Sequence, residues 1–149
     1  MKRKKITANF QGFTLLEIMI VVVIIGVLAA LVVPNIVGRT HQAQVVRAKT
    51  DLQTLEGSLN LYKLDNFNFP STEQGLEALV RQPGGDPPAK NWKSGGYVTK
   101  LPKDPWGNLY QYLSPGSHGK IDIFSLGADA QVGGEGEAAD IGNWNADAN

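Results

Sequence analysis

Apolar and polar positions divide this chain into three stretches of different rhythm. Residues 13–33 read FTLLEIMIVVVIIGVLAALVV, an almost unbroken apolar run whose one charge is Glu17. At helical rise these twenty-one residues span roughly 31 Å, about one bilayer core. Past Pro34, Val45, Ala48, Leu52, Leu55, Leu59 and Tyr62 recur at three- and four-residue steps. Arg47, Lys49, Asp51, Gln53 and Glu56 fall mostly between them. That period predicts an amphipathic helix to about Lys63 or Leu64, with its apolar stripe in a core. Pro34 lacks an N–H and clashes with the preceding turn, so a kink or interruption is expected there.

Asp65-Asn66 breaks the pattern, and the remainder is short-range. Ser71 or Thr72 is placed to cap a short helix that Pro83 ends. Residues 84–96 form a Gly/Pro/Lys-rich loop, and residues 98–101 a short extended piece. Residues 103–108 carry turn chemistry around Trp106. Residues 108–113 and 120–126 read as two strands joined by the turn Pro115-Gly116-Ser117-His118-Gly119. From Gly127 onward Gly, Asp, Ala and Glu dominate. The expected class is α+β: a long helix first, then a small antiparallel sheet on its outer half. The expected divisions are residues 1–12, 13–33, 34–64 and 65–149.

Charge gives the chain a direction. Lys2, Arg3, Lys4 and Lys5 precede the apolar run with no acid among residues 1–12, leaving ten basic and fourteen acidic residues downstream. A basic stub before an apolar span places the N-terminus in the cytoplasm and the rest across the membrane. A cleaved secretory signal competes with an uncleaved anchor. The run is longer than a normal signal core of about 7–15 residues, and Leu28-Ala29-Ala30 lacks the small-x-small spacing. No basic stripe follows, so nucleic acid is not an expected partner. The 149 residues include no cysteine, so a small exported domain needs a metal or a partner subunit as its staple. No credible nucleophile–base set occurs, and an enzyme is not expected. His41 and His118 read as solvated side chains, and Trp92, Trp106 and Trp144 as core plugs.

Glu17 needs an explanation, because a carboxylate inside such a span costs about 2.5–3.5 kcal/mol on insertion scales. Gly12 lies at the border of the basic stub, where a protease at the cytoplasmic face can reach it. Cleavage after Gly12 frees an α-amine on Phe13, about one helical turn before Glu17. A carboxylate–ammonium pair then forms within one chain or between staggered neighbours, and in the second case it sets register.

Gly12-Phe13-Thr14-Leu15-Leu16-Glu17, with the basic leader before and the apolar helix after, resembles the prepilin cleavage motif of type IV pilins and type II secretion pseudopilins. Residues 62–80 (YKLDNFNFPSTEQGLEALV), 101–112 (LPKDPWGNLYQY) and 122–145 (DIFSLGADAQVGGEGEAADIGNWN) resemble the major pseudopilins of type II secretion systems. The likeness covers nearly the whole chain. It implies a type IV pilin-like fold, removal of residues 1–12 by a prepilin peptidase, and N-methylation of Phe13. It also implies a single-pass inner-membrane stage, with the C-terminal domain in the periplasm. From there the subunit enters a helical homo-oligomeric pseudopilus with minor pseudopilins, driven through an inner-membrane assembly platform, and the filament moves folded proteins across the outer membrane. A type IV pilin of another machine, for adhesion, motility or DNA uptake, is the alternative. Such pilins often carry a C-terminal disulfide, which this chain cannot form.

The second constellation is the stretch from Leu126 to Asp140. Its glycines let a chain wrap an ion, and carboxylates and carbonyls are the oxygen ligands Ca²⁺ takes. It is not an EF-hand, and composition alone favours a solvated acidic turn over an ion site. The resemblance implies a structural Ca²⁺ here. Asp129 and Asp140 match family ligand positions, the Leu126 carbonyl is a third ligand, and Gln131 and a mid-loop carbonyl are others. Some relatives carry two adjacent acids where this chain has Ala139-Asp140, and Glu135 or Glu137 is then the substitute.

Overall fold

The computed structural model describes residues 13–146, with side chains left aside over residues 31–39. The leader, Gly12 included, lies outside the described residues. One helix, α1, runs Leu15–Asn66, and its backbone stays helical through Pro34 where an interruption was expected. The chain divides into two units, Met1–Arg39 and Thr40–Asn149.

In the first unit every described apolar side chain of α1 lacks cover: Leu15, Leu16, Ile18, Met19 and Ile20 through Leu28 are all exposed. Among the described residues no helix is both long and apolar enough to cross a membrane. The expected span reaches into residues 31–33, where no side chain is described.

The second unit is built on the predicted stripe. Ala48, Leu52, Leu55, Leu59 and Tyr62 are buried, one face of α1 at i, i+3 and i+4 spacing. They pack with Leu76, Ala78, Leu79, Tyr110, Tyr112, Ile121, Ile123 and Ile141 in one core, against which Trp92 and Trp106 lie half-buried. Tyr110 ties sheet to helix, its hydroxyl donating to Asp51 Oδ2 at 3.0 Å. Burial, then that hydrogen bond, pushes the Tyr110 pKa well up.

α1 outlasts its expected end by two or three residues. It closes on Phe67, whose N–H donates to the Lys63 carbonyl at 2.7 Å in the left-handed conformation, φ 68°. This is the αL stop that glycine usually makes, with a phenylalanine in its place. The following helix is not α-helical and is not capped by Ser71 or Thr72. It is a 3-10 helix, Leu76–Leu79, entered through Gly75 with no side-chain cap. Ser71 and Gln74 close the turn before it, each side chain accepting the other's backbone N–H at 3.3 and 3.0 Å. Thr72 bonds Ser114 instead, accepting from its N–H at 2.8 Å and donating to its carbonyl at 3.1 Å.

The sheet has order β1-β2-β3, with β1 Gln111–Leu113, β2 Asp122–Ser125 and β3 Ile141–Gly142. Both pairings are antiparallel, with Tyr112 opposite Ile123 and Ser125 opposite Ile141. The two predicted strands are there but shorter, the extended piece at 98–101 is not a strand, and β3 was not foreseen. β3 gives the acidic loop a fixed far end. Residues 126–140 therefore leave β2 and return to its edge.

Candidate functional site

At the start of α1 the structure adds a role for Glu17. Its backbone N–H donates to the Thr14 hydroxyl at 3.2 Å and to the Thr14 carbonyl at 3.1 Å. Thr14 is thus the N-cap and Glu17 the third helical residue, the Thr-x-x-Glu spacing of a capping box. The carboxylate sits where the helix dipole is positive, a favourable position of about 0.3–1 kcal/mol. That signal was legible in Thr14 and Glu17 themselves. Phe13 precedes the cap and is 78% exposed. Gly12 is not among the described residues.

The acidic loop is anchored at both ends. At its entry Gly127 N–H donates to Ser125 Oγ at 3.2 Å, and that hydroxyl donates to Asp104 Oδ2 at 2.6 Å. Asp104 is 2% exposed. Its Oδ1 accepts from Asn108 N at 2.7 Å and Trp106 N at 3.1 Å. One buried carboxylate thus fixes the Trp106 turn and β2 and, through Ser125, holds Gly127 at the start of the loop. Sequence reading took residues 103–108 for a turn and did not find this hub.

At its exit, Trp144 stacks on His118 with ring centroids 3.9 Å apart and planes 13° apart. His118 Nδ1 lies 2.9 Å from buried Asp122 Oδ2, which also accepts from Ser117 N at 2.7 Å and His118 N at 3.1 Å. Burial pushes the Asp122 pKa up, but the hydrogen bonds from His118 and these backbone N–H groups outweigh it and hold the carboxyl below its ordinary 3.8. His118 is half-exposed, as a solvated side chain would be, yet it also clamps the C-terminal segment through Trp144.

Between these anchors, Asp129 Oδ1 accepts from Gln131 N at 3.1 Å, and Asp140 Oδ2 accepts from Gly133 N across the loop at 2.9 Å. Ala128 N donates to the Glu137 carbonyl at 2.9 Å. Gly127 and Gly134 have φ of 67° and 88°. A Cβ on Gly127 would lie 2.9 Å from the Ala139 carbonyl oxygen. Only glycine lets the two sides of the loop approach so closely. Asp129, Gln131 and Glu135 are exposed while Asp140 is half-buried. Among the described residues no three His, Cys, Asp or Glu side chains cluster as a metal site, so Asp129, Glu135 and Asp140 are not gathered into one acidic cage. Asp140 Oδ1, however, is buried with no hydrogen-bond partner. A buried carboxylate oxygen without a donor is rare and costly.

A capped apolar helix with no cover of its own over its described residues, running on into a small α+β unit, defines the class: a pilin-like subunit. The comparisons give it a family. The family "Type II secretion system (T2SS), protein G" matches residues 35–144, and the "Prokaryotic N-terminal methylation motif" matches residues 7–33. The chain belongs to the type II secretion system protein G family. It is 60% identical over 134 residues to the type II secretion system core protein G of Pseudomonas aeruginosa, covering 90% of this chain and 94% of the relative. Its identity to the protein of that name in Vibrio cholerae is also 60%, covering 90% and 91%. To that of Escherichia coli K12 it is 51%, covering 93% of each. The crystal structure of the major pseudopilin from the type 2 secretion system of enterohaemorrhagic Escherichia coli superposes with a TM-score of 0.67 at 46% identity, over 76% of this chain and 97% of that one. The chain is accordingly a pseudopilin of type II secretion, a family of structural subunits, rather than a pilin of another machine.

Proposed function

We propose that the chain is made as a precursor, cut after Gly12, methylated on the Phe13 amine, and assembled with copies of itself into a helical periplasmic filament. Before assembly residues 13–33 span the inner membrane once, with the leader in the cytoplasm. In the filament the same residues form the core, residues 34–64 continue the helix, and residues 65–149 face the periplasm. The chain works by packing, without catalysis of its own. Its partners are minor pseudopilins, a prepilin peptidase and the inner-membrane platform that extrudes the filament.

The observation that carries this reading is the apolar face of α1 from Leu15 to Leu28, exposed along its length and interrupted only by Glu17. A soluble monomer does not keep such a surface, whereas a lipid span and a bundle core both cover it. Glu17 then meets the Phe13 amine, and its place at the positive end of α1 offsets part of what its burial costs. Intact-mass analysis of the chain purified from membranes of cells with an active prepilin peptidase tests the processing. The expected mass is that of residues 13–149 plus one methyl group. An intact chain from Met1 overturns it.

We propose further that residues 126–140 bind a structural Ca²⁺. Asp140 and Asp129 supply carboxylate oxygens, the Leu126 carbonyl and Gln131 complete the set with a mid-loop carbonyl, and Glu135 is the reserve acid. The unpartnered Asp140 Oδ1 and the glycine-permitted approach of the loop's two sides support this choice. The ion's contribution is charge neutralisation and cross-linking, which closes the tail in a domain with no disulfide.

A further inference from the structure

Two buried side-chain atoms among the described residues have no hydrogen-bond partner, Asp140 Oδ1 and His41 Nδ1. The first belongs to the acidic loop and the second faces it. His41 Nδ1 lies 4.0 Å from Glu137 Oε1. We infer that His41 is a docking residue that fixes the acidic loop to α1 through Glu137, at the point where the helix enters the unit Thr40–Asn149.

A buried ring nitrogen left unpaired costs about 1–3 kcal/mol, so a native structure keeps one only where a partner arrives. The carboxylate opposite selects the tautomer, since Nδ1 must carry the proton to donate to it. The gap exceeds hydrogen-bond length by about 1 Å. Glu137 closes it by rotating its own side chain, which is 59% exposed. Its backbone need not move, because the Glu137 carbonyl is already held by Ala128 N. The contact then ties the middle of the loop to the helix, complementing the Ser125–Asp104 anchor at one end and the His118–Trp144 clamp at the other. It concerns the same loop as the Ca²⁺ proposal but rests on His41 and Glu137, and the ligand set proposed above takes Glu135, not Glu137, as its reserve acid.

Hydrogen exchange read by mass spectrometry on the full chain in detergent tests this, with His41→Ala, His41→Gln, Glu137→Ala and the double alanine variant. In EDTA, His41→Ala is expected to speed exchange across residues 127–140 roughly fivefold, the effect of losing one hydrogen bond. Peptides from β1 and β2 should stay at wild-type rates. His41→Gln, whose amide can still donate to Glu137, should restore most of the protection, and the double variant should exceed neither single. Unchanged loop exchange in His41→Ala overturns the inference. So does a His41→Gln variant as fast as alanine while the strand peptides stay at wild-type rates. Should alanine speed every peptide, the glutamine variant decides. The wild-type difference between Ca²⁺ and EDTA is a separate readout that tests the ion, so the two proposals fail independently.

Discussion

Glu17→Val is expected to insert in the membrane as the wild type does and to yield almost no filaments. Valine removes the one charge from the apolar surface of α1, so insertion becomes easier. Assembly loses more than it gains, because the Phe13 amine is then buried without a counter-charge. Breaking a buried pair in this way costs about 3–5 kcal/mol, which is two or more orders of magnitude in an association constant. The helix start itself survives: the bond to Thr14 comes from the backbone N–H of residue 17. What valine removes there is the favourable acid at the positive end of α1, a smaller loss of about 0.3–1 kcal/mol. Membrane fractionation and quantification of sheared filaments separate the two effects. Wild-type filament yield from Glu17→Val contradicts the register role, and a chain lost from the membrane contradicts the account of its span.

Chelation carries the second large effect. A ligand bound at a hundred times its dissociation constant stabilises the folded state by about 2.7 kcal/mol. For a unit the size of Thr40–Asn149 that converts to roughly 10–20 °C in melting temperature. EDTA should lower the melting temperature of the full chain in detergent by about that amount, excess Ca²⁺ should restore it, and Mg²⁺ should do so poorly because it resists irregular, carbonyl-rich sites. Asp140→Asn should melt near the EDTA value in either condition. An unchanged melt in EDTA, with no Ca²⁺ in the purified protein, rules the ion out.

Periodicity carried the helix. Ala48, Leu52, Leu55, Leu59 and Tyr62 were read as core and are buried, because an amphipathic stripe depends on local spacing alone. β1 and β2 were readable for a similar reason, with turn residues between two short apolar runs. β3 was not, since Ile141-Gly142 is two residues long in a Gly/Asp-rich tail and exists by pairing with Phe124 and Ser125. The 3-10 helix was read as a helix capped by Ser71 or Thr72, but Ser71 pairs with Gln74 to close a turn that begins four residues before Gly75.

The sites divide along the same line. Gly12, Phe13 and Glu17 form a contiguous motif, so a sequence displays them. Asp104 and Ser125 stand 21 residues apart, and His118 and Trp144 meet only through the fold. His118 is half-exposed, as read, but the partners of both histidines, Asp122 with Trp144 and Glu137, come together only once the sheet has formed. The acidic loop lies between these cases: its composition favoured a solvated turn and only the family resemblance pointed to an ion, while the orphaned Asp140 Oδ1 needed the folded chain.

The central claim is that this chain packs into a filament through the apolar half of α1. Electron cryomicroscopy of filaments sheared from cells producing the chain with its secretion machinery tests it most directly. The account predicts a rod built mainly of this chain, with residues 13–30 in its core and each Glu17 carboxylate within ion-pair distance of a Phe13 amine. Filaments lacking the chain, or carrying it with that segment on the outer surface, would contradict it.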